Sequence, residues 1–228
     1  MADINIFNSG DSAIYCCVGD SISPALNEMV YALENYILGE VRAGIIETVP
    51  SYNGLMIYFD PLTLDRDKLS GILSSFSYKE LQPLSAENRG TIVIPVYYGS
   101  DQGPDLDIVS STNNMKPEDV IAIHTGTDYR IYMLGFTPGF PYLGGLDKRI
   151  ATPRKTEPRL KIAAGSVGIA GEQTGIYPIE SPGGWQIIGR TPVKLFTPES
   201  ESPFLLKPGL TLRFRQIAIE EYIEIQRI

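Results

Sequence analysis

GFTPGFPYLGGLDKRIATPRKTEPRLKIAAGSVGIAGEQTGIYPIESPGGWQIIGR, residues 135–190, is the stretch on which the reading of this chain turns. It holds half of the chain's 22 glycines; prolines or aromatics stand beside Gly139, Gly183 and Gly184 and within three positions of Gly144 and Gly145. The chain's only tryptophan, Trp185, follows the last glycine pair. Glycine loses more backbone freedom on folding than any other residue. A folded segment this rich in it therefore uses the backbone itself, for tight turns or for close approach of a ligand or another chain. Short strands broken every few positions by Gly and Pro predict a loop-rich β-barrel.

Working upstream, Thr91–Tyr98 is a β-prone run in which Pro95 suggests an edge or a bulge. Two short helices are expected around Asp105–Ser111 and Pro117–Thr125, and a strand over Tyr129–Phe136. The second helix carries proline in its first turn and the acids Glu118 and Asp119 where the helix dipole favours them. Downstream, Leu210–Gln216 and Ala218–Ile225 read as closing strands, or as a strand and a tail.

The first eighty residues follow another pattern. Ala13–Val18 is an apolar strand, and Ser23-Pro24 offers an N-cap followed by proline at the first helical position. Leu26, Met29, Val30, Leu33 and Ile37 then form one apolar stripe at helical spacing. Strands are expected at Ile45–Val49 and Leu55–Phe59, with a turn at Ser51–Gly54, and Asp65 caps a second amphipathic helix. This β-α-β-β-α order matches most of a ferredoxin-like unit, which a strand at Lys79–Pro83 would complete. Polar Ser85–Gly90 reads as a linker. The expectation is an α+β chain with a ferredoxin-like domain over residues 1–84 and a barrel over 85–228.

Composition bounds the chemistry. A net charge of −8 argues against a nucleic-acid surface. Lys148, Arg149, Arg154, Lys155, Arg159 and Lys161 still cluster within one short stretch, as an anion-attracting patch or a solvated basic loop. No secretory signal and no apolar run of about 20 residues is visible, so a cytoplasmic location is expected. Cys16 and Cys17 are neighbours, which makes a disulfide between them implausible. One histidine and two adjacent cysteines cannot furnish a His/Cys zinc site, and no residue is assigned as a metal ligand. Phosphate-loop, dinucleotide-binding and G-x-S-x-G motifs are all missing.

His124 ends a predicted helix, where it either meets the last carbonyls or faces the cleft built by the following loops as a proton donor or acceptor. Phe136, Phe140, Tyr142, Tyr177 and Trp185 line a pocket or pack as core. Gln173, Ser181, Arg190 and His124 are the polar groups available to such a pocket.

The blocks GPDLD, IHTGTDYRIYMLGFTPGFPYLGGLD, TPR, AAGSVGIAGEQTGIYPIESPGGWQIIGRTP and KLF resemble the family of 5-oxoprolinase B subunits, also called KipI or allophanate hydrolase subunit 1. One departure is Lys161-Ile-Ala-Ala before GSVG, where a valine-proline approach is expected. The resemblance implies a cyclophilin-like barrel after the N-terminal domain. It also implies partnership with a homologue of the C subunit, itself a related barrel, and with a homologue of the A subunit. Together these open 5-oxo-L-proline to L-glutamate at the expense of ATP, with magnesium implied through ATP. Alternatives within the resemblance are an inhibitor of a sensor histidine kinase and the carboxyltransferase half of a urea carboxylase system.

On that basis His124 and Arg190 are the candidate catalytic residues. Phe136, Pro138, Gly139, Phe140, Tyr142, Arg154, Gln173, Tyr177, Ser181, Pro182, Gly183, Gly184 and Trp185 are the candidate substrate or nucleotide contacts.

Overall fold

The structure, a computed structural model, describes residues 4–77 and 90–227. The chain divides into two compact units, Met1–Glu87 and Asn88–Ile228.

In the first unit, strands β1 (Asn5–Asn8), β2 (Ala13–Cys17), β3 (Ile45–Pro50) and β4 (Gly54–Phe59) form an antiparallel sheet in the order β1-β2-β4-β3. Helix α1 (Pro24–Glu40) starts where the sequence says it must: the Ser23 side chain accepts from Leu26 N–H, with Pro24 at the first position. Its stripe of Met29, Val30, Leu33 and Ile37 is buried against Ile14, Cys16, Leu55, Ile57 and Phe59. Helix α2 (Arg66–Ser74) is capped by Asp65, which accepts from Lys68 N–H, and adds Leu69 and Leu73 to that core. Cys16 is buried, Cys17 half-buried, and both are free thiols.

The split β-α-β arrangement of β2, α1, β3 and β4 is present. A ferredoxin-like sheet, however, places a strand from after the second helix beside its first strand. Here β1 takes that position, in register with β2 from Asn5–Cys17 to Asn8–Ile14. The expected strand at Lys79–Pro83 and most of the expected linker lie outside the described residues.

The second unit contains a closed seven-stranded barrel. Its strands are β5 (Thr91–Tyr98), β6 (Asp128–Leu134), β7 (Pro141–Gly144), β9 (Ser166–Ala170), β10 (Gln173–Ile176), β12 (Gln186–Arg190) and β13 (Thr211–Gln216). Their order around the barrel is β10-β7-β6-β13-β5-β12-β9. Strands β8 (Arg159–Ile162) and β11 (Ser181–Gly183) form a separate two-stranded ribbon. Helices α3 (Leu106–Thr112) and α4 (Pro117–Thr125) precede β6, and α5 (Ile219–Gln226) follows β13.

Pro95 is not on an edge strand, because β5 pairs with both β13 and β12. It is tolerated because the ladder to β12 begins only at Tyr97 and Tyr98. Residues 219–226 are helical rather than extended. Glu220 and Glu221 occupy the first turn, Glu221 pairs with Arg215 at 2.6 Å, and Tyr222 is the buried residue.

His124 corrects the expectation that it faces a cleft. Its side chain is fully buried inside the barrel core, stacked on Phe214 with ring centroids 4.4 Å apart. Tyr98 Oη lies 2.8 Å from Nδ1 and Thr174 Oγ1 lies 2.9 Å from Nε2. Thr174 already donates to the Gly168 carbonyl at 3.0 Å, so it accepts from Nε2–H, and Tyr98 donates to Nδ1. The imidazole is therefore neutral with every polar atom satisfied, and burial pushes its pKa down from 6.5 to about 3. Helix α4 delivers this residue into the barrel because its inward face carries Val120 and His124.

Unfolded, His124 takes up a proton below its ordinary pKa of 6.5; folded, it resists until about 3. Stability must therefore fall as pH drops through that window, at about 1.4 kcal/mol per pH unit for this single group. Urea unfolding across the window is expected to show a slope in His124→Gln that is shallower by about one proton.

Candidate functional site

The segment 135–190 builds its site outside the barrel core. Loop 135–140 is closed by Gly135 N–H donating to the Phe140 carbonyl at 3.1 Å. Inside it, Phe140 N–H donates to Thr137 across Pro138 and Gly139, with Gly139 at φ +82°. Proline followed by a residue of positive φ is the signature of a type II turn.

That turn sets up an unusual neighbour. Phe136 has φ +68°, and Thr137 N–H donates to the Gly135 carbonyl at 2.8 Å, closing the rare positive-φ γ-turn around it. A left-handed backbone costs a bulky residue about 1–2 kcal/mol. The ring is nevertheless 66% exposed, held edge-on against Phe140 with centroids 5.6 Å apart.

Phe140 is the hub. It makes edge-to-face contacts with Phe136, Tyr142, Tyr177 and Trp185, all with centroids between 5.4 and 5.6 Å. Two glycines make the packing possible. A Cβ at Gly175 would come within 3.0 Å of Phe140 and 3.2 Å of Trp185, and one at Gly183 would strike the Tyr177 hydroxyl. These glycines make room for the protein's own rings, a use distinct from turning the chain.

The result is a cavity of about 420 Å³ lined by Phe136, Phe140, Tyr142, Arg154, Pro158, Tyr177, Pro182, Gly183, Gly184 and Trp185. Its walls are mostly apolar, with a few convergent polar groups, as small-molecule sites tend to be. Arg154 is exposed, its Cζ 6.0 Å from the centre of the Trp185 ring. Burial pushes the Tyr177 phenol up to about 12, against the opposing pull of Arg154, the Trp185 N–H and Arg159. Tyr177 is thus a neutral O–H donor at physiological pH.

A buried carboxylate frames the cavity. Asp105, 2% exposed, receives Arg159 Nη2 at 2.7 Å, Lys155 Nζ at 3.4 Å and the Ile187 N–H at 2.7 Å. Burial alone raises its pKa, but the hydrogen bonds from Arg159 and Ile187 and the two positive charges outweigh that and hold it below the usual value. Lys155 N–H donates to the Gly184 carbonyl at 2.7 Å, and Gln186 Nε2 to Pro153 at 2.9 Å. Residues 153–159 are thereby strapped to 184–187, the two segments that carry Arg154 and Trp185.

Asp105 opens the helix expected over Asp105–Ser111. It does occupy the N-cap of α3, but its side chain makes no capping bond there. Pro158 was missed altogether as a wall residue. The basic cluster is largely paired: Lys148 with Glu172, Arg149 with Asp147, Lys155 and Arg159 with Asp105, Lys161 with Glu180.

Of the candidate contacts, Pro138 and Gly139 shape the loop without lining the cavity, and Gln173 and Ser181 also lie off its wall. The two candidate catalytic residues are not part of it. His124 is in the barrel core, and Arg190 lines two smaller cavities elsewhere on the same unit.

Residues 4–206, which include every wall of this cavity, match the family model described as "Carboxyltransferase domain, subdomain C and D". The 5-oxoprolinase B subunit of Bacillus subtilis (strain 168) is 45% identical over 222 residues, covering 93% of this chain and 92% of that protein. The chain belongs to the family of 5-oxoprolinase B subunits. The corresponding B subunit of Escherichia coli O157:H7 is 37% identical over 206 residues, covering 90% of this chain and 92% of that protein. Among solved structures, TTHA0988 is similar with a TM-score of 0.78 and 36% identity over 91% of this chain. The chain spans only 40% of that longer structure. No helix among the described residues is long and apolar enough to cross a membrane.

Within this 5-oxoprolinase family fold, Phe136 and Phe140 are expected to separate in a stability assay. Phe140→Ala empties the hub and should cost about 3–5 kcal/mol. Phe136→Gly relieves its backbone strain against a glycine entropy cost of about 0.5–1 kcal/mol, so urea unfolding should place it within about 1 kcal/mol of wild type.

Proposed function

We propose that this chain is the B subunit of an ATP-dependent 5-oxoprolinase and is inactive alone, working with homologues of the A and C subunits to convert 5-oxo-L-proline to L-glutamate. The observation that carries the reading is the aromatic cavity with one guanidinium at its rim. It matches a small ring that is apolar except for a lactam and a carboxylate.

In this account the pyrrolidone ring lies against Phe140 and Trp185, and Arg154 meets the carboxylate. The Tyr177 O–H and the glycine-loop N–H groups face the lactam oxygen. A lactam resists water because nitrogen lone-pair donation stabilises its carbonyl. Transfer of the γ-phosphoryl group of magnesium-bound ATP to that oxygen makes it a leaving group. One water then adds at the carbonyl carbon, and the ring C–N bond breaks with a proton passing to the freed amine. The resulting acyl phosphate is cleaved by a second water, which supplies the second carboxylate oxygen as phosphate departs. Phosphoryl transfer depends mostly on positioning and electrostatics, so this role needs no phosphate loop here. The open cavity supplies half of a site, and the partner barrel would complete it.

The test is ATP hydrolysis stimulated by 5-oxoproline. Stimulation is expected from the chain mixed with both partners and not from the chain alone. Arg154→Gln should lower kcat/KM for 5-oxoproline at least tenfold, about 1.4 kcal/mol, with unchanged unfolding. No stimulation in the full mixture would overturn the reading.

A further inference from the structure

A second cavity, of about 200 Å³, adjoins strand β8 and shares no lining residue with the aromatic one. Arg190, Arg159, Lys161, Ser166 and Gln102 line it, and Asp101 is its acidic member. We propose that this cavity binds a phosphate group, either free or as a monoester. The proposal stands independently of the oxoprolinase reading.

Arg190 is its centre. It sits on β12 between two barrel strands, in register with Tyr97 of β5 and Ser166 of β9. Its Nε donates to the Ala164 carbonyl at 2.8 Å and its Nη1 to Gln102 Oε1 at 3.2 Å. Both acceptors are neutral, and among the described residues Arg190 makes no ion pair. No carboxylate therefore holds its charge at salt-bridge distance, and the Nη2 edge of the fork is left to donate. A guanidinium fixed in this way has already given up its rotamer freedom, which lowers the cost of binding.

The surrounding charges favour an anion in spite of Asp101. Asp105 is shared by two cations, so Arg159 and Lys155 together exceed what it neutralises. Lys161 pairs with Glu180 at 3.1 Å, but both side chains are well exposed, and such a pair is weak enough to reorganise. Ser166 stands opposite Arg190 in the ladder, where cross-strand side chains meet, and offers a hydroxyl donor. A fixed guanidinium with further cations and a hydroxyl donor around a small polar cavity suits a tetrahedral dianion better than a planar carboxylate.

Isothermal titration of the full chain at constant ionic strength tests this, with inorganic phosphate, AMP and acetate as probes. Saturable phosphate binding is expected, at least tenfold tighter than acetate. Arg190→Gln should weaken it at least tenfold and Lys161→Gln about threefold. Lys148→Gln removes an equal charge outside the cavity and should leave it unchanged, and circular dichroism verifies that each variant is folded. Binding of AMP as well would identify an ester or nucleotide phosphate as the ligand; phosphate alone would identify the free ion. Equal affinity in wild type and Arg190→Gln, acetate as tight as phosphate, or no saturable binding would each overturn the proposal.

Discussion

One buried carboxylate holds the candidate site together. Asp105 is removed from water, which would normally favour its neutral form. It stays charged because Arg159, Lys155 and the Ile187 N–H converge on it. Its own N–H also grips the Ile187 carbonyl at 2.8 Å, so side chain and backbone clamp the same strand. Removing one member of such a buried group costs far more than the group contributes net, because the remaining charges are stranded. The Asp105 clamp fixes the segment carrying Arg154 against the segment carrying Trp185, and so sets the width of the aromatic cavity.

Once that frame is fixed, the aromatic wall follows from packing. Phe140 can reach four rings only because Gly175 and Gly183 carry no Cβ, and Phe136 is exposed only because its loop accepts a left-handed backbone. Strain of this kind persists where the surrounding hydrogen bonds over-determine the conformation, and it gathers at ligand and partner surfaces. The exposed Phe136 ring therefore supports the half-site reading.

Much of this was legible in residues 135–190 and in local punctuation. The caps at Ser23 and Asp65, the α1 stripe and the aromatic–proline–glycine cavity all rest on signals within a few residues, and all stand in the structure. The misreadings are of contacts distant in sequence. For His124, a lone histidine at a helix end beside glycine loops points either to the last helix carbonyls or to proton transfer at a cleft, and neither reading places it in the barrel core. Its partners Tyr98 and Thr174 are 26 and 50 positions away. Arg190 sits in the same motif as Trp185, but strand β12 carries it away to another cavity. Asp105 meets Arg159 across 54 positions, and no local pattern announces that pair. Strand β1 escaped because Asn5–Asn8 is short, polar at both ends and mostly exposed.

Because Trp185 is the only tryptophan, its fluorescence reports the clamp directly. The decisive measurement is Trp185 emission and acrylamide quenching in Asp105→Asn against wild type, with the barrel shown to be folded by circular dichroism. The account predicts red-shifted emission and stronger quenching in the variant, as the 184–187 segment parts from 153–159. Identical emission and quenching in a folded Asp105→Asn protein would contradict it.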